Sequence, residues 1–577
     1  MRSTIIPALT VVLCTPAIAA AQAPDARLKA IYDAEWAFRA REFAEIPDAA
    51  PGEPSADDHL PSVTPAAWQR RLSTWRDMLS RVDALPVATL GDEDRMNHAV
   101  FRTYLWEQVN NIEWRTYEAP FNSDSFFWAG LSPRRGYARA IDYRRYLGRM
   151  RDLPRYFDEQ IANMRSGLKR GYSAPAPSLV GRDRTIEPFA APGTGNPFYA
   201  AFAAMPATIP AAEQAELRAE AARVIAERVA PAYARLLSFM RTDYLPRTRR
   251  TIDAASLPDG RRFYQDRIRE HTTLNLTPDQ IHEIGLKEVA RIDADMQATM
   301  KETGFKGTFP AFLTFLRTDP RFYARTPKDL LSLSAYVVKK MDGKLKDNFG
   351  LLPRYRFTIR PVPDEIAPIY TSGRGGLDSC LMNTYDLAQR PLYNIPALTL
   401  HECSPGHSFQ AAAALEAPAR PRFRRETYFS GYGEGWGLYT EYLGKELGIY
   451  EGPYEEFGRQ TFEMWRAARL VVDTGIHAKG WSRQRAIDYF AAHTALAPLD
   501  ITNEVDRYIS WPGQALAYKL GELTIRRMRS KAERALGPRF DIRRFHDAVL
   551  GMGSVPLSTF EDEMNRFIAR EKAAPAG

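Results

Sequence analysis

With 577 residues, 45% of them hydrophobic and 26% charged, the chain has an ordinary globular composition and the length for a large core. Its net charge of +8 is dispersed among 70 acidic residues, and no long basic run interleaved with aromatics occurs, so nucleic acid is excluded as an expected partner. Length alone suits about two to four domains.

The first residues read as a secretory signal. Met1-Arg2 is a brief positive start, Ile5 to Leu13 is apolar apart from Pro7, and Ala19-Ala20-Ala21 before Gln22 fits a small-residue cleavage site. Residues 1–21 are therefore assigned as signal peptide, and an exported, periplasmic protein without stable membrane insertion is expected, since no later segment is long and apolar enough to span. Cys14 is a weaker candidate for a lipid anchor, because bulky Leu13 precedes it.

Residues 22–270 form an N-terminal helical region. Apolar residues recur three and four apart from Pro61 to Gln108, from Arg139 to Leu168 and from Ala211 to Arg241. Tyr172 to Pro210 is rich in Pro, Gly and Ala and reads as a connector, with a loop over a cleft as the alternative. The cluster Arg247-Thr248-Arg249-Arg250 reads as a solvated segment.

Residues 271–577 carry the candidate chemistry. Thr277-Pro278-Asp279-Gln280 has the form of a capping box, followed by a buried stripe of Ile281, Ile284, Val289, Ile292 and Met296, with His282 in a structural role. Arg354 to Pro363 and Gly376 to Thr384 are strand-like. The intervening Gly373-Arg374-Gly375-Gly376 lacks the lysine and spacing of a phosphate loop. A strand here can hold an extended peptide through its backbone, which makes Asn383 and Thr384 candidate substrate contacts, with turn roles as the alternative.

The stretch His401-Glu402-Cys403-Ser404-Pro405-Gly406-His407 holds two of only nine histidines. Two neutral imidazoles bind Zn2+ with positions left for a water, and a neighbouring carboxylate takes that water's proton. Six positions turn a straight helix through about 240°, so the imidazoles would diverge. Pro405 and Gly406 permit a bulge that returns His407 beside His401; a helix cap followed by a Pro-Gly stop is the competing reading. A two-His site lacks one protein ligand, for which a carboxylate from a following helix is the usual third, and Glu434 and Glu441 lie seven apart on one face of the next helical segment. Arg420, Arg422, Arg424 and Arg425 between them read as a solvated loop, with attraction of a substrate carboxylate as the alternative.

Beyond Glu441 the pattern is helical almost to the end. His477 follows Asp473 by four, so a carboxylate-oriented imidazole can donate to an oxyanion or leaving amine, or the two form a buried pair. Without the signal, only Cys380 and Cys403 remain. An oxidising compartment permits a disulfide pinning one segment onto the other, and two buried thiols are the alternative.

HECSPGHSFQ, GEGWGLYTEYLG, the stretch from Arg469 to Ser482 and Arg507 to Lys519 together resemble the bacterial DUF885 family, itself similar to the gluzincin zinc metallopeptidases. The resemblance is strongest from Thr277 to Phe567. It implies a mainly α-helical fold, one continuous two-lobed body with a central cleft and a small β element beside the metal helix. It implies that His401, His407 and Glu434 bind zinc and that Glu402 is the general base. Tyr508, Gln514 and Tyr518 in the Trp-Pro-Gly-interrupted segment resemble the place where related peptidases put transition-state donors, with Tyr518 preferred over Tyr508 as donor, Tyr508 and Gln514 as substrate contacts, and helix packing around Trp511 as the alternative. Glu441 is one candidate partner for a zinc ligand. The expected function is an exported zinc hydrolase of peptide or related amide bonds. Its rivals are a metal-stabilised binding protein, a metal-free scaffold, and a hydrolase of esters or nonpeptide amides.

Overall fold

A computed structural model describes residues 25–43 and 58–574, apart from 134, 135, 365 and 419. The proposed signal peptide and Cys14 lie outside the described residues. The chain is mainly α-helical, with one three-stranded sheet. Among the described residues no helix is long and apolar enough to cross a membrane.

Helix Pro453–Lys479 runs through the middle, and every residue from Phe457 to His477 is buried. A helix buried on all sides is normally apolar throughout, so its charged residues need partners. They have them: Arg459 meets Glu463 at 2.7 Å, Arg466 meets Glu441 at 3.2 Å, and Arg469 meets Glu504 at 2.9 Å. Lys519, fully buried on helix Ala517–Leu536, reaches Glu463 at 3.0 Å and Glu522 at 2.9 Å. Of these, Arg466–Glu441, Arg469–Glu504 and Lys519–Glu463 join different helices around the candidate site.

Helix Pro278–Glu302 packs along the central helix through Val289, Ile292 and Met296, which share a core with Val471, Val472 and Ile476. It starts where the sequence predicts. Thr277 accepts from the Gln280 backbone and Gln280 answers to Thr277, the reciprocal cap. Of the predicted stripe, Ile284 is only half-buried. His282 is structural, bonded to Thr474 at 2.8 Å.

N-terminal helices Pro65–Asp83 and Asp92–Glu113 bury Leu72, Trp75, Phe101 and Leu105 in a core shared with Tyr432, Trp436 and Tyr439. Helix Ala140–Arg170 builds a separate core with Val224, Tyr233 and Leu236. The stretch 172–210 departs from the connector reading. It folds into short helical turns that bury Leu179, Ile186, Phe198 and Phe202 in that second core, because scattered apolar residues can anchor a segment that lacks periodicity. Arg249 likewise is no solvated residue: it donates to the carbonyls of Ser173, Thr251 and Asp253.

Strand β1 (Thr358–Pro361) pairs in parallel with β3 (Ser379–Met382), and β2 (Gly373–Arg374) pairs antiparallel with β3, giving the order β1-β3-β2. Cys380 of β3 is joined to Cys403 by a disulfide, with the Cα atoms 5.4 Å apart, so the sheet is fastened directly behind the His401 segment.

Candidate metal centre

The His-rich stretch does not form one bulged helix. Helix Ile395–Glu402 stops, Ser404-Pro405 is a cis peptide, and a second helix begins at His407 and runs to Glu416. The expected bulge is therefore a break, and the break accomplishes the same convergence. The rings of His401 and His407 lie 4.9 Å apart at 86°. Gly406 is required here, because a Cβ would collide with the His401 carbonyl oxygen. Trp436 donates from its indole to the Pro405 carbonyl at 2.9 Å and holds the turn.

Helix Ser430–Glu446 crosses this turn and supplies the third group. Gly437 makes the approach possible, since a Cβ there would stand 2.7 Å from the His401 ring. Glu434 Oε2 then lies 3.3 Å from His407 Nε2 and 3.5 Å from His401 Nε2. Ligand atoms at about 2.0 to 2.1 Å from a tetrahedral zinc lie about 3.3 to 3.4 Å apart; the two Glu434 separations are close to this, and all three donor atoms lie within 4.8 Å of one another. Burial works against charge on His401, but hydrogen bonds to Glu434 and Glu441 and the charge of Glu402 carry its pKa up to about 9. Against its own burial, Glu434 is held well below the usual carboxylate range by both histidines.

Glu402 follows the first histidine and points toward the sheet. Its Oε2 accepts the Gly375 N–H at 2.6 Å. Gly375 adjoins β2 and packs so closely that a Cβ would meet the Glu402 carbonyl and stand 2.6 Å from the His407 Cβ. The strand edge and the candidate base are thereby in register.

Tyr518 and Gln514 reach the same region. The Tyr518 ring is stacked at 21° to His401 with centroids 6.4 Å apart. Arg507 donates to the Tyr518 hydroxyl at 3.3 Å and to Gln514 Oε1 at 2.8 Å, which leaves the phenol proton free to be donated onward. Arg469 lies over the Tyr518 ring at 4.2 Å.

Several expected roles are corrected. His477 has both nitrogens occupied: Nδ1 accepts the Ala254 N–H at 3.0 Å and Nε2 donates to the Tyr508 carbonyl at 2.9 Å, so it is a structural histidine rather than a donor to substrate. Asp473 does not orient it, but accepts the Tyr264 hydroxyl at 2.5 Å and the Gly513 N–H at 3.2 Å. Tyr508 is only 1% exposed, donates to Glu504 at 2.7 Å and accepts from Arg469 and Trp465, leaving nothing for substrate. Asn383 is also 1% exposed and ties a turn together, donating to the carbonyls of Ala367, Tyr370 and Thr371 and accepting the Tyr385 N–H. Among the Arg-rich residues, Arg424 is buried and bonded to Asn97 at 2.8 Å and Met552 O at 2.5 Å; it neither lines a cleft nor lies in solvent.

One group escaped the sequence. Tyr428, just before the Glu434 helix, has Glu434, Tyr518 and Glu402 as its electrostatic neighbours. The residue is 54% exposed, while its hydroxyl and the adjoining ring carbons rest on Gly433 where a side chain would stand. The signal was there in Gly433, a glycine inside a helix immediately before a ligand.

Helical architecture with two histidines and a carboxylate converging over a small sheet defines a class of candidate metal-binding proteins. The chain belongs to the DUF885 family, described as "Bacterial protein of unknown function", which matches residues 47–564. Among solved structures it is similar to a "putative lipoprotein" from Colwellia psychrerythraea. The two are 26% identical with a TM-score of 0.83, over 94% of this chain and 99% of that one. A "putative lipoprotein of unknown function" from Shewanella oneidensis shares the fold at 16% identity and a TM-score of 0.69, over 94% and 100%. No curated protein matches the chain.

Proposed function

We propose that the chain is an exported, zinc-dependent hydrolase of peptide or related amide bonds, allied to the gluzincin metallopeptidases. The observation that carries this reading is the pair of 3.3 and 3.5 Å separations from Glu434 to the two imidazoles, with Glu402 adjacent in sequence to the first. Naming of the two similar structures as lipoproteins supports export.

His401, His407 and Glu434 would hold the ion, and no other group of three such residues is placed to do so among the described residues. When bound, zinc supplies Lewis acidity toward a substrate carbonyl and acidifies a water. Glu402 takes the proton of the attacking water and delivers it to the leaving amine. The Gly375 N–H fixes the carboxylate for that transfer. Tyr518 offers its phenol proton to the oxygen that gains charge, and Arg507, bonded to that phenol, strengthens it as a donor. β2 is an edge strand of the described sheet and lies beside Glu402, a place that suits the approach of an extended backbone.

The test is zinc content and turnover of the mature protein with His401→Ala, His407→Ala, Glu434→Ala and Glu402→Gln. About one zinc per chain, lost in the first three variants and kept in Glu402→Gln while turnover disappears, is the expected result. Zinc retained with ligand binding but no turnover in the wild type would instead make it a metal-stabilised binding protein. Cleavage of esters or nonpeptide amides alone would change the bond assigned.

A further inference from the structure

Arginines around the centre are neutralised, with one exception. Arg466 is paired with Glu441, Arg469 with Glu504, Arg507 with Glu504 and Asp124, and Arg390 with Asp500. Arg374 forms no ion pair among the described residues. Its side chain is exposed, and the Tyr370 phenol and the negative charges of Glu402 and Glu434 are its electrostatic neighbours. It sits in β2, and the next residue, Gly375, donates its N–H to Glu402 at 2.6 Å.

This placement has a chemical meaning. A guanidinium with no carboxylate partner keeps its charge and its donors available. Its backbone belongs to the strand edge that packs on the metal segment, so a substrate lying along that edge passes its side chain. Arginine's planar fork matches a carboxylate in a bidentate pair. The other four guanidiniums cannot serve, because their own carboxylates already occupy them.

We propose that Arg374 is a specificity determinant that takes a carboxylate carried by the substrate close to the bond under attack. The carboxylate is either the free C-terminus of a peptide or an acidic side chain. The proposal rests on the hydrolase reading for the identity of the substrate, and its recognition step can be measured without turnover.

The experiment uses the zinc-loaded mature protein and two pairs of probes. One is tetra-alanine and its C-terminal amide. The other is a pair of amidated tetrapeptides that carry glutamate or glutamine at the third position and alanine elsewhere. Binding is measured by calorimetry on the Glu402→Gln protein, and kcat/KM on the wild type. The member bearing the carboxylate is expected to be favoured at least about tenfold in one pair, and which pair responds tells the terminus from the side chain. Arg374→Gln collapses that ratio toward one, and Arg374→Lys restores part of it. Equal binding within both pairs, no binding of any probe, or an equal loss for both members in Arg374→Gln overturns the proposal. A binding preference that depends on Arg374, in a wild type that hydrolyses none of the probes, leaves the recognition standing and counts against the hydrolase reading.

Discussion

Glu441 Oε1 stands 2.8 Å from His401 Nδ1, and both side chains are almost fully buried. A carboxylate on one imidazole nitrogen fixes the ring and makes the other nitrogen the better ligand. Glu441→Gln is expected to weaken zinc binding about 10- to 100-fold, read by competition with a chromogenic chelator. Arg466, 3.2 Å from the same oxygen, makes Glu441→Ala the harsher change, since it strands a buried guanidinium. An unchanged zinc affinity in Glu441→Gln would remove the carboxylate from the metal centre's support.

Tyr428 bears on Glu434 as Glu441 bears on His401. Removing its hydroxyl in Tyr428→Phe takes a polar neighbour from Glu434, and zinc affinity should fall about tenfold with the fold intact. Gly433→Ala should do the same from the other side, because the new methyl occupies the space of the phenol. If Gly433→Ala weakens zinc binding and Tyr428→Phe does not, the effect lies in the helix backbone and not in the phenol.

The centre was legible where its information is local. Thr277 and Gln280 announce their cap within four residues, and His401, Glu402 and His407 announce theirs within seven, although the helix break that joins the histidines depends on Gly406 fitting under a carbonyl. Other roles were set from afar. Nothing near His477 in sequence reveals Ala254, which takes its Nδ1, and nothing near Tyr508 reveals that Trp465 and Arg469 surround its hydroxyl. Asn383 sits in a strand-like stretch, yet three carbonyls of a preceding turn claim its amide. Polar residues in a large buried interior are as often fasteners as reagents, and only the tertiary partners distinguish them.

Cys380 and Cys403 close a loop with a sequence separation of 23, and both are fully buried. A loop of that size predicts about 3 kcal/mol of stabilisation through the unfolded chain. Cys380→Ser with Cys403→Ser should therefore lower the melting temperature, and zinc should leave the double variant faster because Cys403 directly follows Glu402. The check is calorimetry and zinc release, each compared with wild type under non-reducing conditions. Equal melting and release would make the bridge incidental.

His477 and Asp473 give opposite pH dependences that mask each other in the intact protein. Burial pulls His477 from 6.5 down to about 4. Between those values the unfolded chain holds a proton that the folded one refuses, so acidification costs about 3 kcal/mol of stability. Burial pushes Asp473 from 3.8 up to about 7, against the hydrogen bonds from Tyr264 and Gly513. There the folded chain holds the proton that the unfolded one releases, so acidification from pH 7 toward 4 adds about 4 kcal/mol. Asp473→Asn, whose amide oxygen can still accept both hydrogen bonds, should lose stability more steeply than wild type as pH falls from 6.5 to 4. His477→Gln should be less stable at pH 7 and lose less, or gain, over the same interval. Melting temperatures taken across that interval check both. Parallel curves for the two variants would mean that neither group titrates differently in the folded and unfolded chains.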